Sequence, residues 1–437
     1  MLRGILAVAA AMAVAAASLL LPWALAFDAY AWLVWGRELT RGTLDTSAGP
    51  SFKPLPVLAT TPLALTGDAA PALWLLVART GALLAVVGAA ALARRLDGSL
   101  LAAATAAAVL VTSPWWWFNA ALGNSEGLLA AGALWAAVAH LAGRPRWACA
   151  ALLAAALLRP EIWPFLGLYG AWCWRAVPES RLVVAASFAL VPVLWFVPGL
   201  LGGGGASDAA MGRPSTGSAG LTDFPFGAVL LDSVQLLTVP AALALAAALY
   251  RPSSRAVVWL AAAAVGYVLI VAVMTQAGYA GNPRYLVPAA ALGTAVAASG
   301  AARLGPVAVG ILVLSVAGRG AGALLDQTRA VGQRADSRRG LDVIVARARG
   351  PIGACPRVRT STPQRSAVAW TLDRGLADLN RPPKAPAAVL RARPFEGGLL
   401  QPPAPPPFRA VAAVAGWELA VACPRRLRAG RSPRARS

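Results

Sequence analysis

The chain has 437 residues, of which 58% are hydrophobic and 13% charged, and carries a formal net charge of +21. This balance excludes a soluble protein of such size: runs of about 17 to 25 apolar residues, each long enough to cross a roughly 30 Å hydrocarbon core, recur between short polar breaks. Nor does the charge point to nucleic acid, because from Asp326 onward 21 Lys or Arg face 7 Asp or Glu, so the tail supplies +14 of the +21.

In chain order, the first apolar run, 5–27, reads as an uncleaved signal anchor. Ala24-Leu25-Ala26 resembles a cleavage site, but the run is longer than a signal core. Later spans are predicted at roughly 71–93, 99–113, 127–142, 147–158, 162–174, 182–201, 228–250, 256–275, 285–302 and 305–324. The expectation is an all-α polytopic domain over 1–325 with about eleven transmembrane helices. Arg3, Arg94, Arg95, Arg144, Arg146, Arg175, Arg181, Arg251, Arg255 and Arg303 fall in every second loop, which predicts a cytoplasmic N-terminus and an outward-facing tail. The opposite loops, 28–66, 113–126, 159–161, 202–226 and 278–285, then lie on the outer face. The glycine- and serine-rich 202–220 reads as a lid or as a plain connector.

After residue 325 the apolar periodicity ends. Strand-like fragments at 367–372 and 410–422 predict a small extracytoplasmic α/β module over 326–424, followed by a basic disordered tail, 425–437. The excess of positive charge there either attracts anionic lipid headgroups and envelope polymers or reflects a genome that writes Arg for Lys, since only Lys53 and Lys384 are lysines. Cys355 and Cys423 bracket the module and are expected to form a disulfide if it is external, whereas Cys149 and Cys173 lie in apolar helices as packing residues.

Ionisable residues at the edge of a membrane are expensive and single themselves out. In FDAYAWLVWGRELTRGTLDTSAGPSFKPLP, the loop expected at 27–56, Asp28 has no basic neighbour nearer than Arg37. It reads as a free base able to take a proton from a hydroxyl, or as a helix-end marker of the interface. The mix of Tyr30, Trp32, Trp35, Arg37 and Glu38 suits an amphiphilic ligand. Lys53 and Arg284, the latter in GNPRY beside Tyr285, suit a phosphate through a point charge and a planar fork, or serve as snorkelling anchors. Arg159 and Glu161, in LLRPEIWP, read as a self-neutralising ion pair, with substrate contact as the alternative. Glu126, in GNSEG, reads as a first-turn acid favoured by a helix dipole.

Trp115, Trp116 and Trp117 belong with interfacial belt residues. The single histidine, His140, lies far from these acids, which disfavours Ser/His or Cys/His hydrolysis. With no Walker loop, GxGxxG, HExxH or CxxC, neither a metal nor a cofactor is expected.

Three of these places together resemble the GT-C superfamily of polytopic glycosyltransferases that use polyprenyl-phosphate sugars, including aminoarabinose and protein mannosyl transferases. They are the acid in FDAYAWLVWGREL, the lysine in SFKPLPVL and the late PRYLVP. In place of the second acid common in that superfamily stands Ala29, and Lys53 is followed by Pro-Leu-Pro rather than two prolines.

The resemblance implies a bacterial, actinobacterial cell-membrane enzyme with its site facing outside. Asp28 would be the base, and Lys53 and Arg284 the ligands of the donor phosphate. Tyr30, Arg37, Glu38, Glu126, Arg159, Glu161 and Tyr285 are further candidates for substrate contact. It implies an inverting transfer of a hexosyl or pentosyl unit from a polyprenyl-phosphate-linked donor to an envelope glycan, lipid or protein acceptor. Membrane lipid is then a partner and nucleic acid is not. A lipid-linked glycan flippase or export permease, and an inactive scaffold of the same fold, are the competing readings.

Overall fold

In the computed structural model, residues 2–205, 217–379, 385–392 and 406–423 are described. Most of the expected lid, 206–216, and the expected disordered tail, 425–437, lie outside them. The chain divides into two compact units, Met1–Val331 and Gly332–Ser437.

The described residues of the first unit form helices and the turns that connect them. Its helices are α1 (Leu2–Ala17), α2 (Phe27–Arg41), α3 (Pro54–Ala64), α4 (Ala70–Asp97), α5 (Leu100–Thr112), α6 (Pro114–Ala121), α7 (Glu126–Leu141) and α8 (Pro145–Ala156). They continue with α9 (Trp163–Ala176), α10 (Arg181–Leu201), α11 (Pro225–Gln235), α12 (Val239–Tyr250), α13 (Arg255–Gln276), α14 (Val287–Leu304) and α15 (Pro306–Arg347), the last of which runs past Val331 into the second unit. Among the described residues five helical stretches are long and apolar enough to cross a membrane, or seven if each bent pair counts as one span. The two bent pairs are α5 with α6, turning by 64° at Ser113-Pro114, and α11 with α12, turning by 91°. At the second bend the Thr238 hydroxyl accepts from the Ala241 amide, capping the new helix where Pro240 enters its first turn. Each expected apolar segment after the first falls on a helix or a bent pair. Several, such as α8 with 12 residues and α9 with 14, are too short to span straight through alone.

Two expectations about the N-terminal region are corrected. The first apolar run is not one continuous helix: α1 stops at Ala17, and a 3-10 turn, Ser18–Leu20, follows. Arg79, within α4, donates to the Ser18 carbonyl and hydroxyl (3.0 and 2.7 Å) and to the Ala121 carbonyl (3.1 Å), so a half-buried cation is satisfied at the ends of two neighbouring helical segments. The stretch after it is not all loop either, since residues 27–41 form α2. The signals are local: Asp28 in the first turn, Arg41 in the last, and Gly42 taking the left-handed C-cap conformation at φ 67°.

The core of this unit is built around α4, whose Ala82, Ala85, Ala89 and Leu92 pack with residues of α5, α7 and α14. Small residues set the spacing, as expected where lipid supplies no hydrophobic drive between helices. A Cβ at Gly127 would lie 2.8 Å from the Cα of Ala82, so α4 and α7 meet backbone to backbone directly beside Glu126.

The second unit contains a four-stranded sheet in the order β1-β2-β4-β3: β1 (Val358–Arg359), β2 (Ala388–Ala392), β3 (Arg409–Val414) and β4 (Trp417–Val421). Strand β1 runs parallel to β2, and the other pairs are antiparallel. The strand expected at 410–422 is a hairpin whose two-residue turn, Ala415-Gly416, has φ of 49° and 80°, matching the twist of the flanking strands. The strand expected at 367–372 is instead a helix, Arg365–Thr371, launched by the 3-10 turn Thr362–Gln364. Pro363 in that turn and the burial of Ser366, Val368, Ala369 and Trp370 override the β propensity of so short a run. Cys355 and Cys423 are joined by a disulfide.

Because the Ala82 backbone cannot yield to a side chain at position 127, Gly127→Val is expected to destabilise the protein by about 1–3 kcal/mol. Thermal unfolding of the full chain in detergent checks this, and an unchanged midpoint would refute the close α4–α7 contact.

Candidate active site

Six ionisable side chains from separate parts of the first unit meet at helix ends. Asp28 sits in the first turn of α2, where the dipole favours an acid, and Glu126 is the first residue of α7. Lys53 precedes α3, and the Leu55 amide anchors that start by donating to the Leu157 carbonyl at the end of α8 (3.1 Å). Arg159 and Glu161 flank the break after α8, where Pro160 opens a 3-10 turn. Arg284 lies in the 3-10 turn Pro283–Leu286, whose entry is capped by the Asn282 side chain accepting from the Arg284 amide (3.1 Å).

Glu126 is the hub. Its Oε1 lies 3.5 Å from Arg159 Nη2, 3.7 Å from Lys53 Nζ and 3.8 Å from Arg284 Nε. Lys53 also donates to Ser125 Oγ (2.8 Å) and stands 5.1 Å from the centre of the Trp32 ring. Arg159 donates to Glu161 Oε1 (3.0 Å) and to the Tyr279 hydroxyl (2.9 Å), and its guanidinium carbon stacks 3.3 Å from the Tyr285 ring centre. Arg284 reaches Asp28 Oδ2 at 2.6 Å and Asn124 Oδ1 at 3.3 Å.

Glu126 Oε2, Glu161 Oε2, Arg159 Nε and Arg284 Nε are buried and make no hydrogen bond. Such orphaned polar atoms mark a place where a further polar group is expected to bind. Burial pushes the Lys53 ammonium down to about 8, and the Glu126 carboxylate acts against that fall. Among the described residues no group of three or more His, Cys, Asp or Glu is placed to hold a metal.

Asp28, Lys53, Glu126, Arg159, Glu161, Arg284 and Tyr285 are therefore brought together. The expectation of a free Asp28 is corrected, because a residue 256 positions away neutralises it. The reading of Arg159 and Glu161 as an ion pair describes their contact. That of Glu126 as a first-turn acid describes its place but not its three cations. Tyr30 is buried in α2 two residues from Asp28. Arg37 and Glu38 lie nine and ten residues along the same helix, about 14 Å or more from Asp28, where Glu38 accepts from the Asp45 amide. Asn124, Ser125 and Tyr279 escaped the sequence reading, whereas Trp32, singled out there for an amphiphilic ligand, lies beside Lys53. GNSEG, a polar run opening an apolar helix, was the one signal for the first two.

Removing the hub leaves three cations clustered without their shared anion, and a broken buried pair costs about 3–5 kcal/mol. Glu126→Gln is expected to lower the unfolding midpoint well beyond Arg284→Gln, whose side chain is 23% exposed. Equal midpoints for the two variants would refute the central place of Glu126.

No protein-family model and no curated protein matches the sequence. Among solved structures, the chain is similar to ArnT from Cupriavidus metallidurans in the apo state, with a TM-score of 0.63 and 14% identity over 96% of this chain and 97% of that one. It is similar also to the same protein bound to undecaprenyl phosphate, with a TM-score of 0.60 and 15% identity over the same shares. At such identity the likeness concerns the fold alone, which the chain shares with ArnT.

Proposed function

We propose that the protein is a membrane glycosyltransferase that moves a sugar from a polyprenyl-phosphate donor to an acceptor hydroxyl at the outer face of the cell membrane. The observation that carries this reading is the gathering of Lys53, Arg159 and Arg284 around Glu126, with Asp28 at the edge of the same cluster. Three cations at helix ends suit an anionic leaving group, and one acid within reach of the partly open edge suits the deprotonation of a nucleophile. The fold supports the choice of donor, since ArnT, which shares it, has been crystallised with undecaprenyl phosphate. The alternation of basic loops supports the outward orientation.

In this reading Asp28 accepts the proton of the acceptor hydroxyl as its oxygen attacks the anomeric carbon from the face opposite the phosphate, which inverts that centre. Lys53, as a point charge, and Arg284, as a planar fork, stabilise the departing polyprenyl phosphate. Arg159 holds the inner wall: stacked on Tyr285 and bonded to Tyr279, it keeps Glu126 and Glu161 in place rather than reaching the sugar. The acceptor is an envelope glycan, lipid or protein bearing a free hydroxyl.

Asp28→Asn is expected to reduce transfer from a radiolabelled polyprenyl-phosphate sugar in isolated membranes by about 10²–10⁴-fold, the usual contribution of a general base. Equal transfer by the native and variant chains would refute the assigned base.

A second expectation concerns pH. With Lys53 deprotonating near 8, kcat/KM for the donor should fall as pH rises through about 8, because the neutral amine no longer attracts phosphate. Lys53→Arg, which stays charged, should remove that limb of the profile. A limb that persists unchanged in the variant would assign it to another group.

A further inference from the structure

The six formal charges of the cluster balance one another: Asp28, Glu126 and Glu161 face Lys53, Arg159 and Arg284. A sugar phosphodiester brings one more negative charge into a largely desolvated site, where an unmatched charge is costly. A carboxylate must therefore give up a cation to it. Exposure decides which one. The side chains of Glu126 and Glu161 are 1% and 0% exposed, and those of Lys53 and Arg159 are 4% and 2%. The Arg284–Asp28 pair, at 23% and 11%, is the one an entering ligand meets. Arg284 has further holds on Asn124 Oδ1 and Glu126 Oε1, so it keeps its place when one contact is traded.

We propose that the donor's phosphate takes Arg284 from Asp28, so that the donor itself uncovers the base. This rests on the glycosyltransferase reading and adds to it an order of events. While Arg284 Nη2 lies 2.6 Å from Asp28 Oδ2, that oxygen is closed to an acceptor hydroxyl. Once the phosphate engages the guanidinium, Asp28 is released and the acceptor oxygen docks against it. The bond from that oxygen to the anomeric carbon forms, and the bond from this carbon to the phosphate oxygen breaks. The electron pair of the broken bond stays on the phosphate, and the proton of the hydroxyl goes to Asp28. Binding is donor first, and an acceptor arriving alone finds no base.

The test measures binding of methyl undecaprenyl phosphate, a phosphodiester with no sugar to transfer, to the purified full chain in lipid nanodiscs. If Asp28 competes for Arg284, Asp28→Asn binds this lipid tighter than the native protein by about tenfold or more, the equivalent of one charge-assisted hydrogen bond. In an Arg284→Gln background the same substitution gives no gain. Unchanged or weaker binding by Asp28→Asn overturns the exchange while leaving the proposed reaction standing. If neither the native chain nor Asp28→Asn binds the lipid, the glycosyltransferase reading fails and the exchange fails with it. A readout on the native chain stands apart from any folding defect of the variants: carbodiimide labelling of Asp28, followed by peptide mass mapping, rises when the lipid is added. Labelling that stays level while the lipid binds overturns the proposal.

Discussion

The carboxylate of Glu126, buried at the start of α7 and shared by Lys53, Arg159 and Arg284, is the interaction on which the site depends. Three cations cannot approach one another in a poorly solvated interior unless an anion lies between them, and here one oxygen serves all three. The polar neighbours extend this arrangement outward: Ser125 accepts a hydrogen bond from Lys53, Asn124 one from Arg284, and Tyr279 one from Arg159. The site is thus a network anchored at its least exposed member and open at its most exposed pair.

The scaffold makes that network possible through small residues. Gly127, directly after Glu126, lets α7 press against the backbone of α4 at Ala82, which keeps the start of α7 inside the protein rather than at its surface. Breaks do the rest. Pro160 ends one helical stretch so that Arg159 and Glu161 point into the cluster from a turn, and the Asn282-capped turn presents Arg284 in the same way. Helix ends carry unpaired backbone groups and partial charges, so they are the natural places for polar chemistry in an apolar chain. All six ionisable residues of the cluster stand at or next to such an end.

Much of this was legible in the sequence. Apolar runs locate the helices because hydropathy is a local property, and every polar break that holds a site residue is visible as a short charged or proline-containing word: FDAY, FKPLP, GNSEG, LRPEI, NPRY. Local capping signals also mark α2, although the density of polar residues after Phe27 disguised it as a loop. The short helix at Arg365–Thr371 was illegible for a different reason: seven residues are too few for periodicity to separate helix from strand. Whether an apolar run crosses straight, as Arg255–Gln276 is long enough to do, or bends by 91°, as at 236–238, depends on what packs around the break.

By itself, then, the sequence determined that this is a chain of apolar helices with most of its charges at or near their ends, because burying an ionisable group in hydrocarbon is expensive and composition records that cost directly. Only the tertiary structure decided which charges meet. Asp28 looked unopposed along the chain and is held by Arg284 from 256 residues away, while Glu126 looked like a helix cap and is the shared anion of three cations. Pairing of that kind is set by which helix ends pack together, and packing is a property of distant surfaces rather than of neighbours in sequence.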